Sequence, residues 1–184
     1  MDVDIVERAR NILLRPAAEW PVIASEATSV ETIYRDYVVY LAAVPPVAGF
    51  VGLSLLGPFG VFGTLFWAVA SYVLSLFVVY VMALVVNALA PSFEGRPGFL
   101  DAFKLTAYSM TAAWVAGIFA LVPILGIFGL LLSLYSIYLF YIGAPVLMRS
   151  PASRSLIYTV AVVVAGVVVQ AIAGAILRHL FLRM

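Results

Sequence analysis

The chain has 184 residues, 65% of them hydrophobic and only 10% charged, with a mean hydropathy of +1.15. That leaves too little polar surface to solvate a globule of this size and excludes a soluble domain. A formal charge of +1 gives no basic excess to attract nucleic acid, and the absence of cysteine removes disulfides and thiolate metal sites.

The pattern predicts an all-α, polytopic integral membrane protein with five transmembrane helices and a short N-terminal amphipathic helix. Residues 1–36 form a cytosolic arm and residues 37–184 the membrane domain. The first thirty residues carry Asp2, Asp4, Glu7, Glu19 and Glu26 without a signal-length apolar core. No cleaved signal is therefore expected, and the first crossing would serve as the insertion signal. Within the arm, Ile5, Val6, Ala9, Ile12 and Leu13 recur at helical spacing, with Glu7, Arg8 and Arg10 on other faces. Such a helix is either a packed cytosolic cap or an interfacial helix whose Arg8, Arg10 and Arg15 meet lipid phosphates. Trp20 favours the interfacial reading, because tryptophan prefers that depth. Pro16 and Pro21 are expected to end regular helix, and Thr28-x-x-Glu31 reads as a capping box opening the next one.

No residue from Tyr37 to Phe93 is charged, which is too long for one crossing and fits two, at about 37–56 and 63–90. Gly57-Pro58-Phe59-Gly60 marks the turn between them. Pro45-Pro46 should bend the first crossing, while Ala48, Gly49 and Gly52 offer it a small surface for close helix contact. The polar loop 91–101 places Glu94 and Arg96 among prolines and glycines, so it reads as irregular chain. Asp101 and Lys104 then lie one turn apart and can pair, with Tyr108 a turn further on. Between Leu105 and Met148 there is again no charge. As one helix that run would be roughly twice as long as a bilayer is thick. It reads as a hairpin turning over at Pro123, with crossings at about 105–122 and 124–147. Arg149 to Arg154 follow, then a fifth crossing at about 155–177, and Arg178, His179 and Arg183 close the chain.

Counting crossings puts the arm, the 94–104 region and the 149–154 region on one side. That side holds eight of the ten basic residues (Arg8, Arg10, Arg15, Arg35, Arg96, Lys104, Arg149, Arg154). The positive-inside rule makes it cytosolic, with the C-terminus outside.

Motifs for chemistry are missing. There is no phosphate-cradling glycine loop, His179 is the only histidine, and no intramembrane Asp, Glu or His stands ready as a base. No catalytic residue, metal site or cofactor is assigned, and the chain is read as non-enzymatic. The candidate intramembrane polar surface is Asn87, Tyr108, Ser109, Tyr135, Tyr138, Tyr141 and Gln170; together with Thr106, Thr111 and Ser136 it either lines a narrow path or packs dry. Packing is preferred, and the missing midplane carboxylate argues against an ion-coupled carrier. In the last helix Gly166, Gln170 and Gly174 share one face and Ala171 with Ala175 makes a small-residue pair. Close backbone approach there serves either the monomer or a homo-oligomer.

Three stretches carry a resemblance: ARNILLRPAAEWPVI near the N-terminus, AFKLTAYSM opening the third crossing, and LYSIYLFYIGAPVLMRSPASRSLIYTVAVVV. Together they resemble the prokaryotic branch of the Yip family, five-pass membrane proteins named as Ypt- or Rab-interacting. The turn at 94–99 followed by Ala107-Tyr108-Ser109 is similar to that family's glycine-rich loop and tyrosine motif. For eukaryotic members the resemblance implies vesicle trafficking, binding of prenylated Rab GTPases and an influence on membrane shape. This chain departs from them in having only about 35 cytosolic residues before the first crossing, no Asp-Leu-Tyr-Gly-Pro motif, and Ala112-Ala113 where a proline is usual. Those departures argue against Rab-type GTPase binding and favour a prokaryotic plasma membrane.

The resulting expectation is a protein that binds a membrane partner, another membrane protein or a second copy of itself, or that organises the lipid bilayer. It would use Arg8, Arg10, Arg15 and Trp20 of the arm and Glu94, Arg96, Asp101 and Lys104 of the loop region. A small channel or permease is the alternative.

Overall fold

A computed structural model describes residues 4–56 and 60–182. Most of the expected Gly57-Pro58-Phe59-Gly60 turn lies outside the described residues, as do Asp2 and Arg183. Among the described residues the secondary structure is entirely helical.

Two short helices make the arm. In α1 (Ile5–Leu14) the Asp4 carboxylate caps the first turn by accepting from the Val6 backbone N–H at 3.0 Å. Proline 16 does not terminate this region; it opens α2 (Pro16–Ser25) at the first helical position, where a missing N–H costs nothing. Pro21 stays inside α2 with its ring exposed, because Trp20 and Ile23 beside it are fully buried and hold the backbone against the bundle. The next helix is capped one residue later than the Thr28 box predicts. Ser29 is the cap, its hydroxyl accepting from the Thr32 N–H at 3.1 Å.

Helix α3, residues 30–41, contains a π-helical turn at Tyr34–Val38. The chain then breaks at Ala42–Ala43 and resumes as α4 (Val44–Leu56), so Pro45 and Pro46 sit in a first turn rather than mid-helix. Helix α5 (Gly60–Leu89) runs on through a 3-10 turn at Ala90–Phe93. After the loop come α6 (Phe99–Ser109) and α7 (Thr111–Ala116), which ends in a 3-10 turn at Gly117–Leu121. Past Pro123 the chain returns as α8 (Gly126–Ser133) and α9 (Tyr135–Leu147), and finishes with α10 (Ala152–Leu182).

Among the described residues four helical stretches are long and apolar enough to cross a membrane: Val30–Ser54, Gly60–Phe93, Gly126–Leu147 and Ala152–His179. The third crossing expected at 105–122 is not among them. It is interrupted at Met110 and carries Lys104, Thr106, Tyr108, Ser109 and Thr111, which dilute its apolar character. Yet this segment is the centre of the molecule. Every residue from Ala102 to Ser109 is buried, because α5, α9 and the start of α3 close around α6. It runs antiparallel to the returning pair: α6 packs on α9 and α7 on α8.

Packing is uneven along the molecule. Around α6 lies a dense core of Trp20, Ile23, Phe103, Leu105, Leu139 and Tyr158. At the opposite end Phe62, Ile124, Phe128 and Leu131 are exposed. There α4 packs closely on the 117–121 turn. A Cβ on Gly117 would come within 2.4 Å of Pro45, and one on Gly52 within 2.4 Å of the Ala120 carbonyl oxygen, so both positions require glycine.

Candidate functional site

The charged segments meet at the densely packed end, where the arm sits on the bundle. The arm is a helical hairpin, and it brings Glu19 and Glu26 to the same guanidinium: Arg8, only 4% exposed, donates to both carboxylates. Burial alone would lower the pKa of Arg8, but the hydrogen bond and charge of Glu26, with Tyr108 and Glu19, outweigh it and raise it above the ordinary arginine value. The guanidinium also stacks 5.7 Å from the Tyr108 ring centre, and this contact ties the arm to α6. Arg8 is therefore not a lipid-facing cation as the interfacial reading has it. Two acidic residues of its own hairpin have neutralised it.

Lys104 supplies the second tie. It does not hydrogen-bond to Asp101; its Nζ donates to the carbonyl oxygens of Ile23 and Glu26, each at 2.8 Å, at the end of α2 where helical carbonyls lack partners. Desolvation holds its pKa below 10.5, against the opposing pull of Asp101 and Glu26, while the Arg8 charge adds to the lowering. A third tie is the Tyr135 hydroxyl, which donates to the Leu13 carbonyl at 3.1 Å. The fourth is Trp20, completely buried over Gly143: a Cβ on Gly143 would meet the indole at 2.6 Å and Leu105 at 2.7 Å. Trp20 is thus a core residue, which corrects its expected interfacial placement.

Deeper in, the Tyr37 hydroxyl pairs with Thr111 Oγ1 at 2.7 Å and its ring lies 4.7 Å from that of Tyr108. The Ala113 N–H donates to Ser136 Oγ at 3.0 Å. The polar side chains at this level are largely committed to partners. Asn87 Oδ1, Ser109 Oγ and Trp20 Nε1 are buried without one.

The loop region splits. The Glu94 backbone adopts φ 59°, the Gly95 N–H reaches the Ala90 carbonyl, and the Arg96 N–H bonds the Met148 carbonyl at 2.7 Å, which stitches the loop to the end of α9. Glu94 pairs with Arg154 at 2.9 Å on the surface, and Arg96 is exposed. Asp101 is half-buried beside this seat. Arg10, Arg15, Tyr138 and Tyr141 face outward, and Gln170 is exposed on α10. Sequence reasoning gave no site role to Glu19, Glu26, Tyr37 or Gly143, and it named Thr111 only as part of the candidate polar surface. The helix-Pro16-helix pattern is the signal that would have folded Glu19 back onto Arg8. Among the described residues no group of His, Asp or Glu is arranged to hold a metal.

An all-helical bundle with apolar spans and a buried, self-neutralised charge cluster at one end defines a polytopic membrane protein with a capped face. A Yip1 domain match spans residues 10–173, and the chain belongs to the Yip family. Among curated relatives it is similar to the inner membrane protein YohC of Escherichia coli K12, with 26% identity over 171 residues that cover 86% of this chain and 88% of the relative. The YohC protein of Escherichia coli O6:H1 matches to the same extent. No solved structure matches.

Proposed function

We propose that this Yip-family protein is a non-enzymatic, five-crossing protein of a prokaryotic inner membrane, whose arm is a fixed cap that orders lipid at the cytosolic interface and offers a seat to a membrane partner. The antiparallel pairing of α6–α7 with α8–α9 supports the fifth crossing. If Gly126–Leu147 spans the bilayer, the segment beside it spans it too. The inner-membrane name of YohC supports the address. The gathering of Arg10, Arg15, Arg96, Arg149 and Arg154 at the capped end supports a cytosolic N-terminus and an outside C-terminus.

One observation carries the lipid reading. With Arg8, Ile12, Trp20 and Ile23 turned inward, the outer face of the hairpin presents Val6 at 68%, Leu14 at 70% and Val22 at 47% exposure, interleaved with Arg10. Val6, Arg10 and Leu14 are successive fourth residues on one stripe of α1. Apolar side chains with arginines between them suit the boundary of acyl chains and phosphates, and α1 is amphipathic in that sense.

The chain has no cysteine, so single cysteines can be placed without background. Leu14→Cys carrying a fluorophore, in liposomes with anionic lipid, should be quenched by shallow spin-labelled lipid and shielded from iodide. Strong iodide quenching would overturn the interfacial assignment. A channel or permease is the second reading, favoured by the unpartnered Asn87 Oδ1 and Ser109 Oγ. Selective flux through liposomes that Asn87→Ala abolishes would establish it.

A further inference from the structure

Away from the cap, α4 leans on the 117–121 turn through its two glycine contacts, and this opens a slot against α5. The slot is a cavity of about 360 Å³ whose lining includes Gly49, Phe50, Ser71, Met110, Trp114 and Gln170. Its wall on α5 extends from Thr64 to Val78, about 21 Å along the helix, somewhat more than the depth of one leaflet's hydrocarbon. The slot is partly open, and its rim is continuous with side chains that face lipid: Val47, Val51, Leu65 and Val69 are all exposed.

The lining is poorly suited to water. Thr64, Ser71 and Ser75 donate their hydroxyl protons to Gly60, Ala68 and Tyr72 of their own helix, at 2.7, 3.0 and 2.7 Å. An internal water needs two to four polar partners; these hydroxyls have already given their one proton and can only accept, and the rest of the lining is mostly apolar. A helix from a second copy, about 10 Å across, is too wide for the space. A single flexible hydrocarbon chain fits it. The exposed Gln170 carboxamide stands on the rim with two N–H donors suited to an ester carbonyl.

We propose that this slot binds one acyl chain of a bilayer phospholipid, with the ester carbonyl held at Gln170. The assignment rests on α4, α5 and α10 lying in the bilayer and is independent of the reading of the arm.

The full chain in mild detergent, supplied with diacyl phosphatidylglycerol and washed, is expected to retain one phospholipid per chain in native mass spectrometry. A Cβ on Gly49 meets nothing within 4 Å, so Gly49→Leu projects into open slot. It should lower occupancy by at least about fivefold, the equivalent of a loss on the order of 1 kcal/mol, while Gly49→Ala changes it little. The dialkyl ether analogue of the same lipid should be retained several-fold less than the diacyl form. Gln170→Leu, on an exposed face that leaves the core intact, should erase that preference. No retained phospholipid on the wild-type chain, unchanged retention in Gly49→Leu, or equal retention of ester and ether lipids by the wild type would each overturn the proposal.

Discussion

A guanidinium that shares two carboxylates inside one hairpin is stable only while all three groups stay together. Arg8→Ala would leave Glu19, 8% exposed, without its counter-ion, and the loss of one partner of a buried pair costs about 3–5 kcal/mol. The arm should then detach. Detachment has a convenient reporter, since Lys104 is the only lysine of the chain and only 2% exposed. It should resist amine-acylating reagents in the intact protein and react at least about tenfold faster in Arg8→Ala, a ratio that about 1.4 kcal/mol of lost protection would give. The same lysine, carrying a ¹³C label, should titrate below 10.5, because burial disfavours its charged form. Linkage fixes the sign of its effect. Its contribution to docking is complete above 10.5 and is lost as pH falls through the lower folded value, and Lys104→Met should remove that dependence. Gly143→Val tests the indole seat separately: its side chain would meet Trp20 and Leu105, and overpacking of that kind costs about 1–3 kcal/mol. Acylation of Lys104 should again accelerate.

Individual helices were legible in the sequence where hydrophobic runs decide them, and less so where chain breaks do. Proline misled in the arm, because Pro16 begins a helix and Pro21 is tolerated inside one when its neighbours are locked by tertiary contacts. Thr28 and Ser29 are both competent caps; the hydrogen bond to Thr32 selects Ser29, and spacing alone does not. Replacement of Ser29 by Ala should fray the first turn of α3 and cost about 1 kcal/mol, measurable as faster amide exchange at Thr32. The ion-paired hairpin was the least visible element. Its partners are 11 and 18 residues apart from Arg8 in the chain, and only the reversal at Arg15 makes them neighbours. The segment at 99–121 shows the opposite effect. Its polar residues lower its hydropathy, yet Tyr37, Lys104, Thr111 and Ser136 satisfy one another or nearby backbone, so the polarity is internal to the packing.

At the scale of the molecule, the prediction with the widest reach concerns the two ends. Reporter fusions at the N- and C-termini should lie on opposite sides of the membrane, as an odd number of crossings requires. Both reporters on one side would remove the fifth crossing and the proposed orientation together. The general plan of a lipid-embedded bundle with most of its charges at one end follows from composition and charge distribution. The cap's docking does not, since it depends on contacts such as Trp20 over Gly143 that no periodicity encodes.

Helix α10 has the least support of the four spans: 17% of its most apolar window is buried, against 28% for α5, and its fully sheltered anchors Ser155, Tyr158 and Thr159 all lie near its start. A molecule pulled by its C-terminus in a force spectrometer should therefore surrender that helix first, as a separate early step. The capped end should hold to the last, so extraction would proceed like a zip opening toward its stop.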